Sequence, residues 1–134
     1  MASKSVTCTA DRFAACMDEM LREVADGVGD GLRPVVERAG RTAVKGCRDG
    51  ARAKFGGTGK YASGFRKKVK GERANVTCEV GNAKLPGLVH LLEKGHATIG
   101  GGRVAGRPHV DPAAQDAFEQ LGDGIDELVG RVLG

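Results

Sequence analysis

The chain of 134 residues is long enough for one domain with a modest core and too short for two. Aromatic residues make up only 4% of it and tryptophan is absent, so a core must be built mainly from Val, Leu, Ala and Met. The 22 glycines raise the entropic cost of ordering the backbone. We therefore expect a marginally stable monomer that gains stability by assembling with other chains.

The net charge of +4 conceals two blocks of opposite sign. Residues 41–73 carry eleven Lys and Arg against Asp49 and Glu72, whereas residues 110–134 carry six acidic residues against Arg131. We expect the molecule to have electrically distinct faces. Such faces suit head-to-tail contacts between copies as well as they suit contact with nucleic acid.

No run of residues approaches the roughly 18 apolar residues that a bilayer span needs, and residues 1–10 lack the apolar centre of a secretory signal. The sequence therefore predicts a cytosolic protein with no membrane partner. Its four cysteines contain no Cys-x-x-Cys pair, which favours free thiols over a disulfide or a metal site. They are Cys8, Cys16, Cys47 and Cys78.

Apolar residues recur every three or four positions over residues 11 to about 54, which predicts a long amphipathic helix. Thr9 is positioned to cap its N-terminus. Pro34 predicts a break or kink, with Asp30 capping a second helix that starts near Leu32. The repeat drifts from a strict heptad, so we expect this helix to pack on a core rather than form a coiled coil.

Two strands are expected after the helix. The glycine-rich residues 55–60 predict a flexible connection. Residues 61–70 follow as a predicted strand with an exposed basic edge, and lysines on such an edge discourage unwanted pairing. Apolar and polar residues alternate over residues 75–80, which indicates a half-buried strand. A turn at residues 71–74 would make the two strands antiparallel neighbours.

A short helix is predicted between Pro86, at its first position, and Gly95, at its C-cap. Its three leucines, Leu88, Leu91 and Leu92, are expected to face inward.

The last part of the chain is predicted to hold a loop over residues 99–106 and a third, short strand over residues 107–110. Asp111 and Pro112 then supply the N-cap and first position of a final helix. The predicted fold class is therefore α+β: a long N-terminal helix and a C-terminal helix on a small antiparallel sheet with an embedded short helix. We expect one domain over residues 1–134.

Two patterns invite a search for chemistry, and neither fits a known site. His90, Glu93 and His96 form His-x-x-Glu-x-x-His, whose spacing fails the i and i+4 geometry of zinc hydrolases. Capping and packing histidines are therefore favoured over a metal site. Residues 100–105 can be aligned with the dinucleotide pattern Gly-x-Gly-x-x-Ala, but no helix follows. The sequence thus favours a mobile assembly loop, and it indicates no cofactor and no enzyme.

The basic tract of residues 41–73 could contact nucleic-acid backbones through Arg66, Lys67, Lys68 and Lys70. It lacks the interleaved aromatic residues of a single-strand platform. A solvated or protein-facing surface is therefore favoured, and a small basic nucleic-acid-binding module stays an alternative.

A family resemblance rests on two adjacent stretches. Residues 90–97 read His-Leu-Leu-Glu-Lys-Gly-His-Ala, and residues 101–113 read Gly-Gly-Arg-Val-Ala-Gly-Arg-Pro-His-Val-Asp-Pro-Ala. Together they resemble the minor tail-component family of tailed bacteriophages and prophages, whose members are neck, head-to-tail joining or tail-completion proteins. The resemblance extends to the long first helix and to a Thr-Gly-x-Tyr turn at residues 58–61. The glycines of the first helix, Gly27, Gly29 and Gly31, depart from the pattern.

This resemblance implies a non-enzymatic virion protein of α+β fold that occupies the host cytoplasm during assembly. It would form a ring of identical subunits, commonly six, and dock between the connector or head-closure protein and the tail terminator or tail tube. A tail terminator that caps the tube is an alternative. In such a ring the basic tract would line a lumen and contact DNA without reading its sequence.

The resemblance implies no catalytic residue and no cofactor. The matching positions are assigned to fold and subunit contact: Glu93, Gly95, His96, Gly101, Gly102, Arg103, Gly106, Pro108, His109, Pro112 and Ala113.

Overall fold

We describe residues 10–134 of the chain in a computed structural model, without the side chains of Asp11 and Phe13. The predicted cap at Thr9 and the thiol of Cys8 lie outside that range. After a 3-10 turn at Ala10–Arg12, the elements are α1 (Phe13–Lys54), α2 (Lys60–Ser63), β1 (Phe65–Lys70), β2 (Thr77–Asn82), α3 (Pro86–Lys94), β3 (Gly95–Ala97), β4 (Arg103–Ala105) and α4 (Val110–Leu133). The predicted α+β class is confirmed.

The helix α1 continues through Pro34 for 42 residues, so the predicted break, with Asp30 capping a second helix, is wrong. A proline inside a helix removes the hydrogen bond that its N–H would donate four residues back. That cost is offset because α4 packs along α1 on both sides of the proline. Leu128 contacts Gly31 before it, and Val35 directly after it is buried.

Glycines bring α1 and α4 close together. A Cβ on Gly27 would lie 2.9 Å from a methyl carbon of Val132, and a Cβ on Gly46 would lie 2.8 Å from that of Ala113. The residue numbers in these pairs run in opposite directions, so the helices are antiparallel. Two of the three glycines that depart from the family pattern, Gly27 and Gly31, therefore belong to the face of α1 that contacts α4, because a side chain at either position would push α4 away.

The strands β1 and β2 pair as antiparallel neighbours, as predicted, with Phe65 opposite Asn82 and Lys70 opposite Thr77. The predicted turn between them is also confirmed, with Gly71 at a φ of 91°. The first strand was predicted to begin at residue 61, which is wrong. Residues 60–63 form the single helical turn α2, which buries Tyr61 in the core.

A second hairpin replaces the predicted loop and third strand. The strand β3 pairs with β4 in the antiparallel sense, and this sheet is separate from that of β1 and β2. The loop prediction for residues 99–106 is therefore wrong over β4. Residues 107–109 form no strand and Val110 already begins α4. Pro108 has no N–H for a ladder, and the N–H of Arg107 donates to the carbonyl of Leu92 instead.

The helix α3 begins at Pro86 and is capped by Gly95 at a φ of 80°, both as predicted. Its orientation differs from the prediction, because Leu88 and Leu91 are exposed and only Leu92 packs against the core. Its inward face also carries the buried carboxylate of Glu93. The contacts of that carboxylate with α4, described below, set the rotation of the helix.

The main core cluster lies where the second half of α1 meets α2, β1 and the start of α4. It consists of Cys47, Ala51, Tyr61, Ala62, Phe65 and Ala113. Cys47 and Cys78 are free thiols, as predicted for them. Within residues 10–134, no helix is both long enough and apolar enough to cross a membrane.

Candidate functional site

The carboxylate of Glu93 caps the N-terminus of α4. Its Oε1 accepts hydrogen bonds from the backbone N–H groups of His109 and Val110, both at 2.8 Å. Its Oε2 accepts one from the N–H of Asp111 at 2.9 Å. The next residue, Pro112, has no N–H to satisfy. This differs from the predicted cap, in which Asp111 itself preceded the helix, because a buried side chain from α3 already fills that role.

His109 connects this cap to the aromatic core, and its side chain is fully buried. Its Nδ1 lies 2.9 Å from the carbonyl oxygen of Arg107, which can only accept, so Nδ1 carries a proton. The same Nδ1 lies 3.0 Å from Oε1 of Glu93, and on the other side of the ring the hydroxyl of Tyr61 lies 2.6 Å from Nε2. Phe55 and Phe65 lie edge-on to the imidazole, with ring centroids 5.0 and 6.1 Å away.

Burial shifts the pKa values of the titratable side chains in and beside this network. Burial raises the pKa of the Tyr61 hydroxyl to about 12, helped by the nearby Cys47 and Glu93. Burial and the Glu93 carboxylate also raise the pKa of Cys47 to about 11. Burial would raise the pKa of Glu93 as well, but the three backbone hydrogen bonds and His109 together outweigh it and lower that pKa. The lowered pKa favours the ionised carboxylate of Glu93, which is the form that caps α4.

Two glycines fix the base of the β3–β4 hairpin. A Cβ on Gly95 would collide with the carbonyl oxygen of Val104, and a Cβ on Gly106 would collide with that of Glu93. Gly95 also has a positive φ, which other residues rarely adopt. The hairpin therefore leaves α3 in a fixed direction.

The tip of the same hairpin is exposed. The N–H of Thr98 donates to the carbonyl of Gly102 at 2.8 Å, which closes a tight turn with Gly101 at a φ of 87°. Ile99, at the start of this turn, is fully exposed, and Val104 is 47% exposed. Ile99 is thus a solvent-exposed apolar side chain on a hairpin whose base is fixed. Such a side chain suits contact with another protein.

The structure divides the residues predicted for assembly into two groups. Glu93, Gly95 and His109 are buried and Gly106 is half-buried, so these four build the base. The exposed residues are Gly101, Gly102, Arg103 and Pro108, and His96 on β3 is half-buried. The side chain of Arg103 donates to the carbonyl of Lys94 at 3.0 Å, which ties the outer strand back to α3. Of the residues predicted for assembly, the exposed ones and His96 are therefore accessible to a partner.

Sequence reasoning missed two residues of this site. Tyr61 was assigned to a strand, and its partner His109 lies 48 residues further on, a separation that no local pattern reveals. Ile99 was passed over as part of a glycine loop. Its signal was an aliphatic side chain alone between Thr98 and three glycines.

The basic residues predicted to face DNA lie on β1 and are all exposed. Because side chains alternate along a strand, Lys67 shares the inner face with Phe65, whereas Lys68 and Lys70 lie on the opposite face from it or project from its edge and Arg66 folds back to the carbonyls of Ser63 and Phe65. The stem of Lys67 would lie 3.1 Å from a Cβ on Gly40. Arg66 and Lys67 also line a concavity of about 360 Å³, together with α1 residues Arg41, Val44, Lys45 and Arg48.

The histidine and glycine patterns form no ligand site in this arrangement. Glu93 uses both of its oxygens on backbone N–H groups, and within the described part of the chain no three His, Cys, Asp or Glu side chains are grouped to hold a metal ion. The glycine run leads into β4 rather than into a helix, so no helix N-terminus meets it.

Comparisons with protein-family models, with curated proteins and with solved structures found no match to this chain.

Proposed function

We propose that the chain is a non-catalytic structural protein of the head-to-tail connection of a tailed bacteriophage, a neck or tail-completion protein. The observation that carries the proposal is the fold of residues 90–113. This stretch, which carries the family resemblance, builds a rigid base around Glu93 and holds an exposed hairpin on it. A stretch organised in this way serves contact with another protein better than catalysis.

The proposed docking surface consists of Ile99 and Val104 on the hairpin, with Arg103 and Pro108 at its edge. Two of these side chains are apolar and solvent-exposed, and the glycines of the turn let the backbone approach a partner closely. Its partners would be the connector or head-closure protein on one side and the tail terminator or tail tube on the other. The copies would form a ring, commonly of six, within the virion neck.

The same surface would serve a tail terminator, which is the nearest alternative. A terminator caps the end of the tail tube before the head joins, so it stays on free tails. A neck or tail-completion protein is needed for the joined particle. The position of the chain on free tails or at the junction separates these two roles.

Genetic complementation of the phage or prophage that encodes the chain tests the proposal. Deletion of the gene should leave heads and tails unjoined, and the parent chain should restore infectious particles. Replacing Ile99 by Asp should lower the titre by about 100-fold or more, because a charge would enter an apolar contact. Leu133→Asp, a change of an exposed leucine at the end of α4, is the matched control and should restore the titre. Full complementation by Ile99→Asp would refute the docking role of the hairpin.

A small nucleic-acid-binding module is the second candidate function, and the basic concavity between α1 and β1 favours it. Phosphate contacts there would make DNA affinity fall steeply with salt. Combined replacement of Arg66, Lys67 and Lys68 by Ala should then abolish binding to duplex DNA in fluorescence anisotropy, while Lys60→Ala leaves it intact. No binding by the parent chain at low salt would rule this function out.

A further inference from the structure

The basic concavity between α1 and β1 is lined almost entirely by cationic side chains. Val44 is the only uncharged residue among the described residues that line it. Its volume of about 360 Å³ lies in the range of small-molecule sites. The five cations are Arg41, Lys45, Arg48, Arg66 and Lys67.

Two of these guanidinium groups converge on a single oxygen atom. Arg48 donates to the carbonyl oxygen of Phe65 at 2.8 Å, and Arg66 donates to the same oxygen at 2.9 Å. Arg66 also donates to the carbonyl oxygen of Ser63 at 2.6 Å, which fixes its guanidinium from a second side. Two like charges are therefore held next to each other by neutral acceptors, at the point where β1 begins.

The carboxylates of α1 near the concavity are already paired. Asp49 lies 2.8 Å from Lys45, so the charge of this one lining residue is compensated. Glu37, one turn before Arg41 on α1, lies 3.2 Å from Arg33. Neither carboxylate therefore reaches the two guanidinium groups that share the carbonyl of Phe65.

The other four cations of the concavity have no carboxylate partner within residues 10–134. Glu79, on β2, pairs with Lys70 at 3.7 Å. The acidic residues of α4 do not contribute, because no described residue of α4 lines the concavity. The buried Nε–H of Arg48 has no hydrogen-bond acceptor among the described residues. The concavity therefore holds positive charge that the described side chains leave uncompensated.

Phosphate is the anion that this arrangement fits best. A guanidinium group donates through a planar fork of N–H groups, and a phosphate group has enough oxygens to accept from two forks at once. A carboxylate has only two oxygens, which a single arginine satisfies. No aromatic side chain is among the described lining residues, so the concavity offers no stacking surface for a base. Recognition would therefore be of the phosphate itself.

We propose that the basic concavity binds one phosphate group through the guanidinium groups of Arg48 and Arg66, with Arg41 and Lys67 adding positive charge around it. The phosphate group is either free, as inorganic phosphate or a phosphomonoester, or part of a nucleic-acid backbone. The inference goes beyond the proposed virion function and does not depend on it.

Titration of the full-length chain with inorganic phosphate, followed by ¹H–¹⁵N NMR, tests the site. The ionic strength is held constant with chloride, so that a general salt effect does not count as binding. The largest shifts should be those of the amide signals of Phe65 and Arg66. A separate titration uses an oligothymidine without a terminal phosphate, which presents only backbone phosphodiesters.

Four variants separate the geometry of the site from its charge. Arg66→Gln and Arg48→Gln should each weaken phosphate binding about 10-fold, because each removes a charged donor. Arg66→Lys keeps the charge but loses the fork, so it should still weaken binding about 3-fold. Lys68→Gln, an exposed change on β1 outside the lining of the concavity, is the matched control and should change the affinity less than about 2-fold.

The variants are interpretable because Arg66 is exposed, so its replacement should leave the fold intact, which circular dichroism checks. Arg48 is half-buried, and the Arg66 variants carry the test if Arg48→Gln does not fold. Binding of inorganic phosphate with these losses supports the site and assigns a free phosphate group. Binding of oligothymidine alone, with the same losses, supports the site and assigns a backbone phosphate.

Three results would overturn the inference. Neither probe could bind, Lys68→Gln could weaken binding as much as Arg66→Gln does, or Arg66→Lys could bind like the parent chain. The last two results would mean that binding follows the overall charge of the strand. None of these measurements concerns the hairpin or the joining of particles, so this inference and the proposed function can fail separately.

Discussion

Replacing Glu93 by Gln should destabilise the fold although it preserves the size of the side chain. The carboxylate accepts three backbone hydrogen bonds from the start of α4, at 2.8, 2.8 and 2.9 Å, in a position that is 7% exposed. An amide has one acceptor oxygen, so at least one N–H loses its partner and faces an NH₂ group instead. A buried unsatisfied donor costs about 1–3 kcal/mol, and the lost charge weakens the remaining bonds, so we expect about 2–3 kcal/mol in total.

Urea unfolding followed by circular dichroism measures this loss. The unfolding entropy of a chain of 134 residues is about 0.28 kcal/mol/K, so the melting temperature should fall by roughly 9 °C. Glu79→Gln is the matched control, because Glu79 is exposed and lies 3.7 Å from Lys70. It should change the free energy of unfolding by less than about 0.5 kcal/mol. An equal effect of the two substitutions would refute the capping role of Glu93.

The pH dependence of stability gives the same substitution a second readout. The pKa of Glu93 is lowered in the folded chain from its model-compound value of 4.5. The unfolded chain therefore binds a proton more readily, and the stability that Glu93 contributes is present above pH 4.5 and is lost as the pH falls through the lower folded pKa. The Gln variant should lack this part of the acid destabilisation. Parallel pH profiles for the two chains would contradict the assignment.

Three further substitutions or probes test the helix contact and the buried network. Gly31→Ala should lower the free energy of unfolding by about 1–2 kcal/mol in urea titrations because its Cβ would collide with α4. Gly122→Ala, at an open position of α4, should raise it by about 0.5–1 kcal/mol, and the reverse order would contradict the packing. Tyr61→Phe should lower the free energy of unfolding by about 1–3 kcal/mol, because it leaves the buried imidazole nitrogen of His109 unpaired. An unchanged free energy of unfolding would contradict a stabilising role for that hydrogen bond. Cys47 should resist alkylation in the native chain, because a pKa raised from 9.0 to about 11 leaves about 100-fold less thiolate at pH 8; modification at the rate of an unfolded cysteine, seen by mass spectrometry, would contradict its burial.

The sequence predicted the elements whose signals are local. The period of α1 and α4, the pairing of β1 with β2 and the Pro86 and Gly95 boundaries of α3 all depend on neighbouring residues. The predicted break at Pro34 failed because a local rule was outweighed by packing against α4, which lies about ninety residues away in sequence. The role of Gly27 and Gly31 in α1 could not be predicted for the same reason, since the residues they contact belong to α4.

The chemistry of the site was harder to predict because its partners are backbone groups. Glu93 and His109 were assigned to fold and subunit contact without a role in either, and the structure places both in the base of the hairpin. The N–H groups that Glu93 binds lie 16 to 18 residues further on. They are backbone groups that do not depend on the residue type, so no sequence motif could reveal them. The N-terminal turns of α1 were predicted as part of an amphipathic helix, but the fact that α4 does not cover them appears only when α4 is seen to end at Leu133.

Localising the chain within assembled particles tests the central proposal most directly. A tagged copy that complements the gene deletion can be imaged by electron microscopy of purified virions and of free tails. The proposed function predicts a ring of tagged subunits where the tail meets the head, and particles that fail to join without it. A chain that stays monomeric and is absent from particles would contradict the proposal.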